Sequence, residues 1–442
     1  MTPSALACRA LSNKSASRAA PSPSSVTTSK APNADAAQKV EGVWLGTASA
    51  LAAPLDPDAD EANVERPFSV ELGTARGAFN QFAVPALETR QAATFATITL
   101  VDSDVGTGRS VELGRVYGDV EPPALTTWEA GFAVLSADHD ASALALRLYT
   151  LSAPFDGSGL KKGPEIRSVR RDTQGFALEA HGHEALAVYS KLEKGKGTLG
   201  LSRFDLRALT AIGGSTLAPH GGEGDQESPR LIAREGGYYL AWLLRTFVKP
   251  RVAPRLAARA AKDGDSDRPE EPVLEEGPSA IEIVPLDGAG VAVASPRRVT
   301  PPEAHVTSFD MAPTRDSGAL VVYRDERDGP GLDRANIEAI WVRPDGSSTA
   351  RTWELSESVG LPSLLVDPGL GKDQPFIAVS VQLEAETRLA HWDETTAGLL
   401  EPSAHEALGN RELLARVGER YLTSEVRGSQ RHLGVISCRF LR

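Results

Sequence analysis

The apolar positions of this chain come in short bursts. The runs FATIT (95–99), FAVLS (132–136), LAVYS (186–190), LAWLL (240–244), LVVYR (320–324), FIAVS (376–380) and YLTSE (421–425) resemble one another. Each has the length and the branched or aromatic content of a buried strand. A polar turn and a second apolar or alternating run follow, as in LALRLYTL (144–151), TLGLSRFDL (198–206), AIEIVPL (280–286), IEAIWVRP (337–344), RLAHWDE (388–394) and HLGVISCRFL (432–441). Paired runs of this kind predict hairpins. Several close on Asp-Gly, at Asp156-Gly157, Asp287-Gly288 and Asp345-Gly346, where glycine accepts the positive φ of a tight turn. A weaker strand precedes some of the runs, such as SPRLIARE (228–235) and LPSLLVD (361–367), so each unit holds three or four strands.

One position in each run (Ile98, Val134, Val188, Trp242, Val322, Val379 and Ser424) gives intervals of 36, 54, 54, 80, 57 and 45 residues. The interval of 80 contains a charged segment, 249–280, whose removal brings it near the others. A small antiparallel sheet of this size cannot cover both its faces, so neighbouring units must stack on one another.

This pattern resembles the β-propeller family, whose four-stranded blades run about 40 to 50 residues. The resemblance implies an all-β ring of about seven blades, with six or eight also compatible with the spacing. The ring would span 41–442 as a single domain, with 249–280 as a flexible insertion. In that family a strand from the opposite terminus often closes the ring, a part that PFSVELG (67–73) is placed to play. Sharp blade signatures are absent: no Trp-Asp endings, no kelch glycine pairs, and one stretch with an Asp-box flavour, Asp102 to Thr107. Hairpins distributed over two sandwich domains are the architectural alternative.

Residues 1–40 differ from the rest. After Cys8 the chain is Ser, Ala, Pro and Thr with few bulky apolar groups, the composition of a disordered tail. Ser4-Ala5-Leu6-Ala7-Cys8 resembles the bacterial lipoprotein processing site, which implies lipidation of Cys8 and a tether in the tail that follows. Ala5 stands where that motif prefers Leu, and the charged and apolar parts of a signal peptide are missing ahead of it. Cys438, the other cysteine, alternates with Ile436 and Phe440 on a terminal strand, the place of a buried free thiol. No bridge to Cys8 is expected from the sequence.

A net charge of −12 works against binding a phosphate backbone, so nucleic acid is not an expected partner. No apolar stretch reaches the roughly 18 residues of a membrane-spanning helix. The eight histidines are dispersed except for His181-Gly182-His183, read as a solvated loop pair, and no metal site is expected. Asp102 and Asp104 lack the remainder of a calcium loop and read as a polar turn, while Asp56 to Glu61 and Asp325 to Asp328 read as soluble loops. In 249–280 a basic half (Lys249 to Lys262) precedes an acidic half (Asp263 to Glu276), the mark of a solvated excursion. Nucleophile-elbow, Walker and dinucleotide motifs are absent, so neither catalytic residues nor a cofactor are assigned.

Three functions are compatible with this reading. The first is a monomeric, non-enzymatic binding or scaffold protein of the bacterial cell envelope, recognising a protein or glycan through propeller loops. The second is a carbohydrate hydrolase or lyase using carboxylates at the central funnel, and the third a surface protein without a discrete ligand. An apolar or aromatic patch on one ring face would favour the first. Carboxylates converging at one mouth with raised pKa would favour the second.

Overall fold

The computed structural model describes residues 5–10, 43–44 and, between 69 and 441, the strands with most of their turns; 249–274 and several shorter loop stretches lie outside the described residues. Among the described residues there are seven antiparallel sheets. Their innermost strands are Ser69–Leu72 with Arg76–Ala78, then Ala124–Trp128, Phe176–His181, Asp225–Arg234, Val306–Pro313, Ser363–Val366 and Glu412–Val417, which number blades 1 to 7. Each of these strands touches the corresponding strand of the next sheet, and Glu412–Val417 returns to Arg76–Ala78. The circle is complete, and the chain is a seven-bladed β-propeller, not a pair of sandwiches.

Packing explains why the units need one another. Every interface between neighbouring blades holds its own cluster of buried apolar side chains. Phe132 and Tyr149 lie between blades 1 and 2, Leu148 and Phe204 between 2 and 3, and Trp242 and Leu201 between 3 and 4. Met311 and Tyr239 lie between 4 and 5, Trp341 and Trp392 between 5 and 6, Leu389 and Tyr421 between 6 and 7, and Phe82 and Leu422 between 7 and 1. Fully burying one such side chain is worth about 1.5–3 kcal/mol, so each blade depends on the faces beside it.

Two expectations change. FATIT belongs to the third strand of blade 1, Ala93–Asp102, whereas the other six runs lie on second strands. The second strand of blade 1 is Gln81–Arg90, an apolar segment carrying Pro85, and this phase slip produced the short interval of 36. Ring closure also differs. Ser69–Leu72 and Arg76–Ala78 pair with Gln81–Arg90 as the inner edge of blade 1, because the tight turn at Phe79 and Asn80 folds that segment back onto the strand it precedes. The outer edge of blade 7 is instead Ala5–Ala10, antiparallel to Gln430–Leu441, and Val43–Trp44 pairs with the same strand.

Ala5–Ala10 therefore forms a strand within the stretch expected as a tail, while 11–42 lie outside the described residues. In the insertion, Glu275 to Ala280 belong to the third strand of blade 4, and the remainder lies outside the described residues. At the seam, blade 1 passes so close to blade 7 that a Cβ on Gly77 would stand 2.7 Å from the Arg416 carbonyl oxygen, so this crossing needs glycine.

The aspartate turn at Asp102 is one of a series. Asp102, Asp156, Asp205, Asp287, Asp345 and Asp393 end the third strands of blades 1 to 6 or open the turns that follow them. In each, Oδ1 accepts the backbone N–H two residues on, from Asp104, Ser158, Arg207, Ala289, Ser347 and Thr395 at 2.8–2.9 Å. This side chain imitates a backbone turn and leads the chain into the outer strand.

Candidate functional site

The inner strands all run in one sense along the ring axis, and where they begin the ring opens into a cavity of about 620 Å³. Every blade contributes to its wall: Glu71 and Arg76 from blade 1, Glu121 from the linker into blade 2, Phe176 from blade 3, and Arg230 from blade 4. Blades 5, 6 and 7 add Asp310, Leu361 with Gln382, and Glu412. Local sequence sets this geometry. Pro122 and Pro123 hold the entry to blade 2 extended, since proline fixes its own φ and restricts the residue before it. Gly175 has φ +111°, and a Cβ there would meet Ser228 Cα at 3.0 Å and Glu121 Oε1 at 3.2 Å. Glycine at this point lets the linkers into blades 3 and 4 close around the Glu121 carboxylate.

Two of the wall carboxylates are committed to the architecture. Asp310 accepts the Met311 N–H through Oδ1 and the Leu364 N–H through Oδ2, each at 2.8 Å, tying blade 5 to blade 6. Glu412 accepts from Arg431 Nη1 at 2.9 Å.

Glu121 is placed differently. Burial pushes its carboxyl above the usual range and the negative charge of Glu71 adds to that, while Arg230 and the Phe176 N–H act against it. The Arg230 guanidinium lies over the Phe309 ring, 5.8 Å from its centroid.

Glu179 stands on the inner strand of blade 3, one residue beyond Leu178 of the cavity wall. Burial raises it to about 7, opposed by the charge of Arg76 and by hydrogen bonds from Thr126 and the Ala180 N–H. The cavity wall thus holds Arg76, Arg230 and Glu121, and Glu179 stands next along an inner strand; both carboxyls stay protonated at higher pH than ordinary ones.

The residues marked by the sequence fall elsewhere. His181, Gly182 and His183 form an exposed turn between the first two strands of blade 3, with Gly182 at φ +66°. Among the described residues, no three His, Cys, Asp or Glu side chains converge as a metal site would require. Asp102 serves its turn and accepts from Gln81 Nε2 at 3.2 Å, while Asp104 pairs with Arg420 across the seam. Asp325 is buried and accepts the His305 N–H at 3.1 Å, and Glu326 pairs with Arg324 at 2.9 Å. Asp56 to Glu61 and Asp328 lie outside the described residues, as do the side chains of Cys8 and Cys438.

Val248 and Glu275, the described residues on either side of 249–274, lie at strand ends on the cavity face. Second strands end at this face, as shown by Ser380 and Gln382 of blade 6 in the cavity wall.

Glu121, Glu179, Arg76 and Arg230 were not marked by the sequence reading. Their signal was a charge inside or at the start of a weak apolar strand, as in FALEAH and SPRLIARE, visible only once those strands are known to line an axis.

Neither a protein-family profile nor a curated relative matches the sequence. Similarity to solved structures is at the level of the fold. The polysaccharide lyase Uly1 superposes with a TM-score of 0.53 at 8% identity, over 91% of this chain and 97% of that one. The β-propeller domain of the Trilobed protease from Pyrococcus furiosus gives 0.46 at 12% identity, over 84% and 98%. An α-L-arabinofuranosidase of Fusarium graminearum gives 0.44 at 10%, over 70% and 88%. No helix of the described residues is long and apolar enough to cross a membrane.

Proposed function

We propose that this propeller is a non-enzymatic binding protein that takes a protein segment or a glycan at the mouth of its central channel. The observation that carries the reading is the cavity of about 620 Å³ walled by all seven blades. Its size lies in the range of ligand sites, and apolar surfaces (Phe176, Phe309, Leu361) alternate there with a few charged groups, which is how such sites combine contact area with orientation. Asp310 and Glu412 are spent on holding blades and strands together, and Arg230, whose charge acts on Glu121, serves as the polar anchor. The same proposal puts the chain in the bacterial cell envelope or outside the cell, acting as a monomer.

Glycan and peptide arrays, followed by calorimetric titration of the hits, test it. Arg230→Ala is expected to weaken binding at least about tenfold, the equivalent of about 1.4 kcal/mol. A ligand whose affinity is indifferent to Arg230→Ala and Glu121→Gln binds elsewhere and overturns the assignment.

A second reading, a carbohydrate hydrolase or lyase, draws support from Glu121 and Glu179, two carboxyls with raised pKa on different blades. A group near pH 7 can serve as a general acid. Under this reading the chain releases reducing ends or unsaturated uronates from polysaccharides and Glu179→Gln abolishes the release. Under the first, neither protein does so.

A further inference from the structure

We propose that Cys8 and Cys438 form a disulfide that fastens the closing strand of the ring. They are the only two cysteines among 442 residues, at opposite ends of the chain. The fold brings them to one register position. Ala5–Ala10 runs antiparallel to Gln430–Leu441 without a register shift, from Ala5 opposite Leu441 to Ala10 opposite Ile436, and Cys8 stands directly opposite Cys438.

Directly opposite residues of an antiparallel pair have Cα atoms about 4.5 or 5.5 Å apart, depending on whether the pair is hydrogen-bonded, and they share a face of the sheet. Disulfides span Cα separations of about 4.4–6.8 Å, so either kind of pair lies inside the range. A displacement by one residue would place the two cysteines on opposite faces.

The location gives the bond a purpose. Blades 2 to 6 are meanders of four consecutive strands and blade 1 has a split inner edge of its own neighbouring segments, whereas blade 7 borrows its outer strand from the far terminus, across a loop that takes in almost the whole chain. That strand pairs over six positions, and closing so long a loop carries the largest entropic cost in the fold. A covalent link at this point removes that cost from the folded state's disadvantage.

Formation joins the two Sγ atoms, releases two protons and passes two electrons to a disulfide oxidant such as oxidised glutathione, which is cleaved to two thiols. The bond and a lipid thioether on Cys8 exclude each other, because each uses the same sulfur.

The test uses the full chain, equilibrated in a glutathione redox buffer of oxidising composition, quenched with acid and denatured. Expected are no thiols reactive with Ellman's reagent, two per chain after dithiothreitol, and a linked tryptic species joining the peptide that ends at Arg9 to His432–Arg439. After limited trypsin treatment of the native protein, the peptide ending at Arg9 stays with the ring and is released at least tenfold faster once dithiothreitol is added. Cys438→Ser is expected to release it at the faster rate with or without reductant. Two reactive thiols after oxidising equilibration, a lipid adduct on Cys8, or disulfide-linked dimers without the intramolecular species would each overturn the proposal. The peptide map is read on the unaltered protein, so it decides the matter even where the variant folds poorly.

Discussion

The joint between blades 2 and 3 and the joint between blades 6 and 7 join the same kind of sheet by different means. Among the described residues the first buries a cluster of fifteen apolar residues, a few of them from blade 1, whereas the second buries seven. Polar ties cross both: at the thinner joint the Thr387 hydroxyl donates to the Arg411 carbonyl at 2.6 Å and the Asp367 carboxylate accepts the Gly418 N–H, and at the thicker one Arg207 Nη2 donates to Glu129 Oε2 at 2.8 Å and the Ala180 N–H to the Thr126 hydroxyl at 3.3 Å. A net hydrogen bond is worth about 0.5–1.5 kcal/mol, less than a buried Leu or Phe. A ring is closed only as firmly as its weakest joint, so blade 7 is where this one should open.

Each joint also holds a titratable group of opposite sense. Beside the first it is Glu179, on the inner strand of blade 3 and hydrogen-bonded by Thr126 of blade 2; between 6 and 7 it is His391, buried on the same strand face as Leu389. Burial, with help from Arg416, lowers His391 to about 2.

The contrast breaks most visibly under truncation. Phe204→Ala, at the thick joint, should lower the unfolding free energy by about 3–5 kcal/mol, and Leu389→Ala, at the thin one, by about 2–3. Guanidinium midpoints measured on both variants would reverse the ranking of the joints if Leu389→Ala proved the costlier.

Next in size is Glu179→Gln. The folded pKa of about 7 exceeds the reference value of 4.5, so the native state loses stability as pH rises from 4.5 through 7. The amide should gain about 1–3 kcal/mol above pH 7 and nothing below 4.5. Equal midpoints for variant and parent at pH 8 would remove Glu179 from this account.

The smallest effect is expected at His391. Its folded pKa lies below the unfolded 6.5, so stability is full above pH 6.5 and declines as pH falls below it, because only the unfolded chain takes up the proton. His391→Gln should spare about 1–2 kcal/mol of the loss between pH 7.5 and 5. Parallel denaturation curves for the two proteins over that interval would show that the thin joint owes its acid sensitivity to another group.

The apolar runs disclosed the second strands because those strands are buried on both faces and read as unbroken Val, Leu and aromatic stretches. Third strands were legible as their hairpin partners. Inner strands were weak in the sequence for a physical reason: they edge the central cavity, so Arg76 and Arg230 interrupt them. The six-fold aspartate turn has no Asp-Gly signature at every site: Asp205-Leu206 and Asp393-Glu394 do the same work without glycine. Closure by Ala5–Ala10 had no local signal, since a pairing between the two ends of a chain leaves no periodicity in either. The cavity was invisible for a similar reason: its wall draws on seven segments that lie far apart in sequence.

That wall crosses the seam. Glu71 and Arg76 stand on one side of the junction where the circle is fastened and Glu412 to Leu414 on the other, so whatever occupies the cavity touches both the first blade and the last. Occupancy and fastening are thereby linked: a guest held there acts as a clasp on the hoop, slowing its opening in proportion to how far its concentration exceeds its dissociation constant. Conversely, a chain whose last blade has swung free has no pocket left to offer.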